Sequence, residues 1–135
     1  MLESDTQIRV RYGETDQMGF LYYGNYALYY EVGRTQMIRE LGLSYREMEA
    51  AGILMPVTEL KVKYLRPARY DDLITVKTAL KEWPQQKIVF DTTLYNEQEE
   101  LLNIGSTTLV FLDAATGKKL SAMPDILARR LKPYF

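Results

Sequence analysis

Residues 26–41, YALYYEVGRTQMIREL, decide the fold. Tyr26, Tyr29, Tyr30, Gly33, Met37 and Leu41 recur at intervals of three and four, the spacing of one face of an α-helix. Asn25 has the side chain of an N-cap, and Gly42 suits the C′ position. Arg39 places a cation in the last turn, where the helix dipole favours one. At 1.5 Å per residue this helix is roughly 24 Å long. Residues 44–51 (SYREMEAA) add one or two helical turns, with Ser44 and Glu47 spaced as a capping box.

Beyond Gly52 the period falls from about 3.6 to two. Four stretches alternate, at residues 57–65, 73–82, 87–96 and 101–112. In the first, Leu60, Val62 and Tyr64 face away from Glu59, Lys61 and Lys63; in the second, Ile74, Val76, Thr78 and Leu80 oppose Thr75, Lys77 and Lys81. Short connections such as Asn96-Glu97-Gln98-Glu99 predict antiparallel neighbours. Upstream of the helix, residues 7–12 (QIRVRY) read as a fifth strand ended by Gly13, with Ile8, Val10 and Tyr12 on one face. Residues 124–131 predict a short closing helix with Pro124 at its first position. One long helix with an apolar stripe can bury it only against the sheet. The expectation is α+β: a curved five-stranded sheet wrapped around one helix.

The chain has 135 residues, 47% of them apolar and 26% charged, without repeats or linkers. That composition predicts one folded domain over residues 1–135 and excludes disorder as the dominant state. Seventeen Lys and Arg stand against eighteen Asp and Glu, a net charge of −1. Lacking a basic excess, the chain is not expected to take nucleic acid as its main partner. There is no cysteine and no histidine, so thiolate nucleophiles, sulfur-ligated metals and imidazole catalysis are all excluded. The first residues lack a basic and then apolar signal pattern, and no apolar run approaches the ~20 residues that span a bilayer. A cytoplasmic protein without membrane insertion is expected.

Chemistry concentrates in the segment running from Tyr12 to Tyr26, YGETDQMGFLYYGNY. It holds three glycines, two carboxylates and four tyrosines just before the helix. Free backbone N–H groups and the positive dipole end gather there, which suits developing negative charge. A carboxylate a few residues upstream could reach the same space as base or nucleophile. A Gly-rich connection with Asp16 as a turn residue is the competing reading. Glu14 reads as a solvated loop charge, Glu31 as a partner for Arg34 or a loop backbone group, and the Tyr26, Tyr29, Tyr30 stripe as core and pocket wall.

The run Tyr12-Gly13-Glu14-Thr15-Asp16-Gln17-Met18-Gly19, followed by Tyr22-Tyr23-Gly24-Asn25-Tyr26 and Glu31-Val32-Gly33-Arg34, resembles the signature of hotdog-fold acyl-CoA thioesterases. The nearest group is the 4-hydroxybenzoyl-CoA thioesterase-like branch, which includes the Tol–Pal-associated thioesterases. Tyr64-Leu65-Arg66-Pro67-Ala68-Arg69-Tyr70-Asp71-Asp72 is similar to that family's link between its second and third strands. The resemblance covers about residues 6–112.

It implies a five-stranded antiparallel sheet around one long helix, assembled as a homodimer or dimer of dimers with active sites at the subunit interface. It implies hydrolysis of an acyl-CoA thioester without a cofactor, and acyl carrier protein thioesters are a variant. Asp16 takes the catalytic position, as nucleophile or as base for water, and Tyr23 and Gly24 take the oxyanion donor near the helix start. One branch of the family carries a histidine where this chain has Tyr23. Lys61, Lys63, Arg66, Arg69 and Lys87 are candidate contacts for the CoA phosphates. Hotdog dehydratases typically rely on a histidine this chain lacks. A non-catalytic acyl-CoA binder is the remaining alternative, against which the retained Asp16 argues.

Overall fold

The computed structural model describes every residue from Met1 to Phe135. Strand β1 (Leu2–Arg9) precedes helices α1 (Tyr26–Glu40) and α2 (Tyr45–Ala50). Strands β2 (Ile53–Leu54), β3 (Val57–Tyr64), β4 (Leu73–Leu80), β5 (Lys87–Tyr95), β6 (Leu101–Val110) and β7 (Leu112–Asp113) follow, then helix α3 (Asp125–Leu131). Five strands form one antiparallel sheet in the order β1-β4-β5-β6-β3, and α1 packs on it. This is the α+β arrangement expected from the change of period. No helix is long and apolar enough to cross a membrane.

The helical stripe is buried as its spacing requires: Tyr26, Tyr29, Tyr30, Gly33 and Met37 all face inward. Gly33 is where α1 lies closest to β4. A Cβ there would fall 2.5 Å from Thr78 Oγ1 and 2.6 Å from Val76 Cγ1. The two halves of α1 enter different cores. Met37 and Ile38 pack with Phe90, Phe111, Leu127 and Leu131. Tyr26, Tyr29 and Tyr30 pack with Ile74, Val76 and Leu94. Each fully buried side chain of this size contributes roughly 1.5–3 kcal/mol. The helix stops as expected, with Gly42 at φ 77° and the Arg130 guanidinium donating to the Leu41 and Gly42 carbonyls.

Several expectations need correction. The first strand starts at Leu2 and ends at Arg9, not at residues 7–12. Its inward positions include Ser4 and Thr6, so its alternation carries no apolar signal, and Ser4 Oγ instead donates to Glu40 at 2.7 Å. Asn25 caps nothing: a 3₁₀ turn (Tyr23–Asn25) runs directly into α1, and the Asn25 amide donates to the Glu14 carbonyl. Ser44 does cap α2, accepting from the Glu47 N–H at 3.1 Å. Pro124 stands just before α3 rather than at its first position. β2 and β7, two residues each, pair as a separate ribbon too short to show a period.

Glu31 is exposed and forms no ion pair with Arg34, which is buried beside Tyr45. Consecutive strands do not all pair either. β3 and β4 lie at different places in the sheet, because residues 65–72 cross from one side to the other. That crossing carries the chain past the functional loop, and it leaves β3 as a sheet edge with Val57, Leu60 and Tyr64 exposed.

Candidate active site

The loop before α1 folds on itself through local hydrogen bonds. Asp16 N–H donates to the Phe20 carbonyl at 2.8 Å, Thr15 bridges Leu21, and Gly19 turns the chain at φ 79°. The Asp16 carboxylate takes part in this turn with one oxygen only. Its Oδ1 accepts from the N–H groups of Met18 (2.9 Å) and Phe20 (3.2 Å), while Oδ2 accepts nothing. Both readings of Asp16 therefore describe one side chain. One oxygen shapes the turn, and the other has no protein partner.

Asp16 lines an open cavity of about 290 Å³ together with Phe20, Tyr23, Tyr26, Tyr64 and Arg66. The walls are aromatic: Tyr64 meets Tyr26 edge-on at 5.3 Å and Tyr23 at 6.5 Å. The crossing segment supplies the remaining wall and is fastened to the loop. Leu21 N–H donates to the Ala68 carbonyl at 2.8 Å, and Ala68 N–H donates to the Tyr26 hydroxyl oxygen at 3.1 Å. Burial pushes the Tyr26 hydroxyl above its ordinary acidity range, so it remains protonated.

The 3₁₀ turn begins at Tyr23, a residue that lines the same cavity. Asn25 N–H closes back on Tyr22, but the amides of Tyr23 and Gly24 find no acceptor in the loop or in any side chain. The Tyr64 hydroxyl donates to the Tyr23 carbonyl at 3.1 Å and steadies this turn. Gly24 sits under the Tyr22 ring, where a Cβ would approach Cε2 to 2.8 Å. The cavity therefore has a carboxylate at its edge and adjoins a turn whose first two N–H groups have no acceptor.

The candidate cations separate into groups. Arg66 lines the cavity and is bonded to Glu100 at 2.9 Å, and the Arg69 guanidinium lies 4.8 Å from the centre of the Phe20 ring. Lys61 and Lys63 lie on the face of edge strand β3 opposite Tyr64, with Lys61 3.4 Å from Glu59. Lys87 starts β5 opposite Val110, at the end of the sheet away from the Tyr95–Leu101 pair near which Arg66 is anchored. It borders a different cavity, beside Trp83. No group of three or more His, Cys, Asp or Glu side chains converges to hold a metal ion.

Two features escaped the sequence. Tyr64 and Leu65 are cavity walls beside Phe20 of the loop, but nothing local marks their place, because the crossing of residues 65–72 brings them to the loop. Glu14 is not a solvated charge. Its side chain is only 15% exposed, and it accepts from the Tyr29 hydroxyl and the Arg11 N–H.

Comparison with known proteins agrees with this architecture. The family model described as "Thioesterase-like superfamily" matches residues 10–131. The acyl-CoA thioesterase candidate YneP of Bacillus subtilis is 36% identical over 125 residues, covering 90% of this chain and 91% of that protein. The acyl-CoA thioester hydrolase YbgC of Escherichia coli is 30% identical over 121 residues, covering 90% of each. A DHNA-CoA thioesterase structure from Staphylococcus aureus superposes with a TM-score of 0.86 at 38% identity, over all of this chain and 85% of that one. A helix-wrapping five-stranded sheet, matched at this level along nearly its whole length, places the chain in the thioesterase-like superfamily of hotdog-fold thioester hydrolases.

Proposed function

We propose that the chain hydrolyses an acyl-CoA thioester to the free acid and CoA at the cavity of Asp16. The observation that carries this reading is the divided role of that carboxylate, with Oδ1 held by two amides and Oδ2 without a protein partner, on a residue that lines the aromatic cavity. The acyl-CoA substrates named for YneP, YbgC and the S. aureus enzyme support the substrate class. A thioester carbonyl is already a good electrophile and a thiolate a fair leaving group. One carboxylate and one oxyanion site are then a sufficient set. Asp16 Oδ2 either adds to the carbonyl carbon, the C–S bond then breaking to release CoA thiolate and leave an acyl-aspartyl anhydride that water hydrolyses, or takes the proton of a water whose addition expels the thiolate and gives the free acid. In both cases negative charge grows on the thioester oxygen, and the amides of Tyr23 and Gly24 receive it.

Arg66 and Arg69 hold the phosphates of the CoA nucleotide, being the cations nearest the cavity. Lys61, Lys63 and Lys87 are secondary candidates. A panel of acyl-CoA thioesters assayed by thiol release tests the activity directly, and no turnover of any member overturns it. Neutralising Arg66 or Arg69 should raise KM for acyl-CoA more than it lowers kcat, since this binding is common to ground and transition states. The same variants should leave the KM for acyl-pantetheine, which lacks the nucleotide, unchanged.

The functional unit we propose is at least a C2 dimer joined along β3. An open edge with exposed Val57, Leu60 and Tyr64 is a liability unless it is covered. Sedimentation at micromolar concentration should return at least twice the 15.7 kDa protomer mass. A 15.7 kDa species would remove the dimer and a shared site with it.

A further inference from the structure

Glu14 lies two residues before Asp16 yet does not line the cavity. It is nevertheless the most connected residue of the loop. Its Oε1 accepts from the Arg11 N–H at 2.9 Å and from the Tyr29 hydroxyl at 2.8 Å. Its backbone carbonyl accepts from the Tyr22 N–H at 2.9 Å and from the Asn25 side-chain amide at 2.9 Å. Tyr22 and Asn25 flank the Tyr23 and Gly24 amides, and Tyr29 is a fully buried residue of α1. One residue thus ties three pieces together: the chain from Arg11 that leads to Asp16, the 3₁₀ turn at Tyr23–Asn25, and the helix.

From this connectivity we infer that Glu14 is a positioning residue, which with Tyr29 sets the distance between the Asp16 carboxylate and the Tyr23–Gly24 amides. The inference rests on the proposed thioesterase reading, in which those two groups act on the same carbonyl. The carboxylate is held rather than solvated, because Tyr29 is buried and presents its hydroxyl from a rigid helix. Burial, reinforced by the bond to Glu14 and its charge, raises the Tyr29 hydroxyl above the usual phenol range, so it stays a donor at every working pH. The Arg11 guanidinium, 3.6 Å from Oε2 and largely exposed, adds little to this clamp.

The clamp needs an acceptor at Oε1, not a charge. Glu14→Gln keeps that acceptor and should retain kcat within threefold. Glu14→Ala and Tyr29→Phe each break the link and should lower kcat by ~10- to 100-fold, the scale of an ångström-level misplacement. KM should stay within threefold, because neither side chain meets substrate. The double variant should be no worse than Glu14→Ala, since both remove the same bond.

A structural readout accompanies the kinetics: amide hydrogen exchange at Asp16, Phe20 and Tyr22 should accelerate in Glu14→Ala and Tyr29→Phe but not in Glu14→Gln. If Glu14→Ala fails to fold, Tyr29→Phe, which loses one hydroxyl, carries both measurements. Full kcat in Tyr29→Phe, an equal loss in Glu14→Gln, or unchanged exchange overturns the inference. Failure of the thioesterase reading shows separately, as absent turnover in the wild type or full turnover in Asp16→Asn. The exchange data then decide the positioning role alone.

Discussion

Asp16→Asn should lower kcat on the best acyl-CoA by ~10²–10⁴, the usual scale for losing a positioned base or nucleophile. The structure sharpens what this substitution removes. Asn retains an Oδ1 that accepts from Met18 and Phe20, so the turn survives. What is lost is the second carboxylate oxygen, which has no protein partner, on a residue that lines the cavity. Melting temperature should change little, because no acceptor bond is given up. Asp16→Ala, by contrast, should lose both activity and loop order, since the Met18 and Phe20 amides that close the turn lose their acceptor. Measuring kcat and Tm on the same preparations separates chemistry from folding. Activity within threefold of wild type in Asp16→Asn would leave the mechanism without its central residue.

The second large effect is on stability. Gly105→Ala should destabilise the fold by about 3 kcal/mol or more, at the upper end of overpacking costs. A Cβ at Gly105 collides with the Lys61 carbonyl oxygen of β3 and with Cε2 of Tyr30, and lies 2.6 Å from the Tyr30 hydroxyl. None of these can yield cheaply. The Lys61 oxygen is backbone, and Tyr30 is 1% exposed with its hydroxyl donating to Asn103 at 2.7 Å. For a chain of this size Tm should fall by roughly 10 °C. Gly13→Ala is the matched control. Nothing lies within 4 Å of a Cβ there and its φ is not positive, so its stability should stay within about 0.5 kcal/mol of wild type. Equal Tm values for the two variants would show that the helix and sheet are less tightly registered at Gly105 than the geometry states.

Much of the fold was legible because it rests on periodicity. The stripe from Tyr26 to Met37 could only be helix, and Ile74, Val76, Thr78 and Leu80 could only be the inward face of a strand, all four being buried. The exceptions have a common cause. β1 presents Ser4 and Thr6 inward, so its first half carries no hydrophobic alternation, and β2 and β7 are shorter than one period. Asn25 looks like a cap by composition, but a residue eleven positions away claims its amide. Local sequence rules lose wherever a distant partner offers a better hydrogen bond.

For the site, the sequence by itself determined which residue is the candidate for chemistry. With no cysteine or histidine, a carboxylate in a Gly- and Tyr-rich loop before a helix was the available candidate, and Asp16 is the loop carboxylate that borders the cavity. Tertiary structure alone decided what surrounds it. The crossing of residues 65–72 brings Tyr64 and Arg66 to the loop and leaves Lys87 at the other end of the sheet. It also settled that Glu14 is anchored, through a hydroxyl fifteen residues away on α1. The physical reason is range. Residue chemistry and helical or strand period are written into neighbouring positions, whereas pocket walls and hydrogen-bond partners depend on where the sheet order β1-β4-β5-β6-β3 carries segments far apart in the chain.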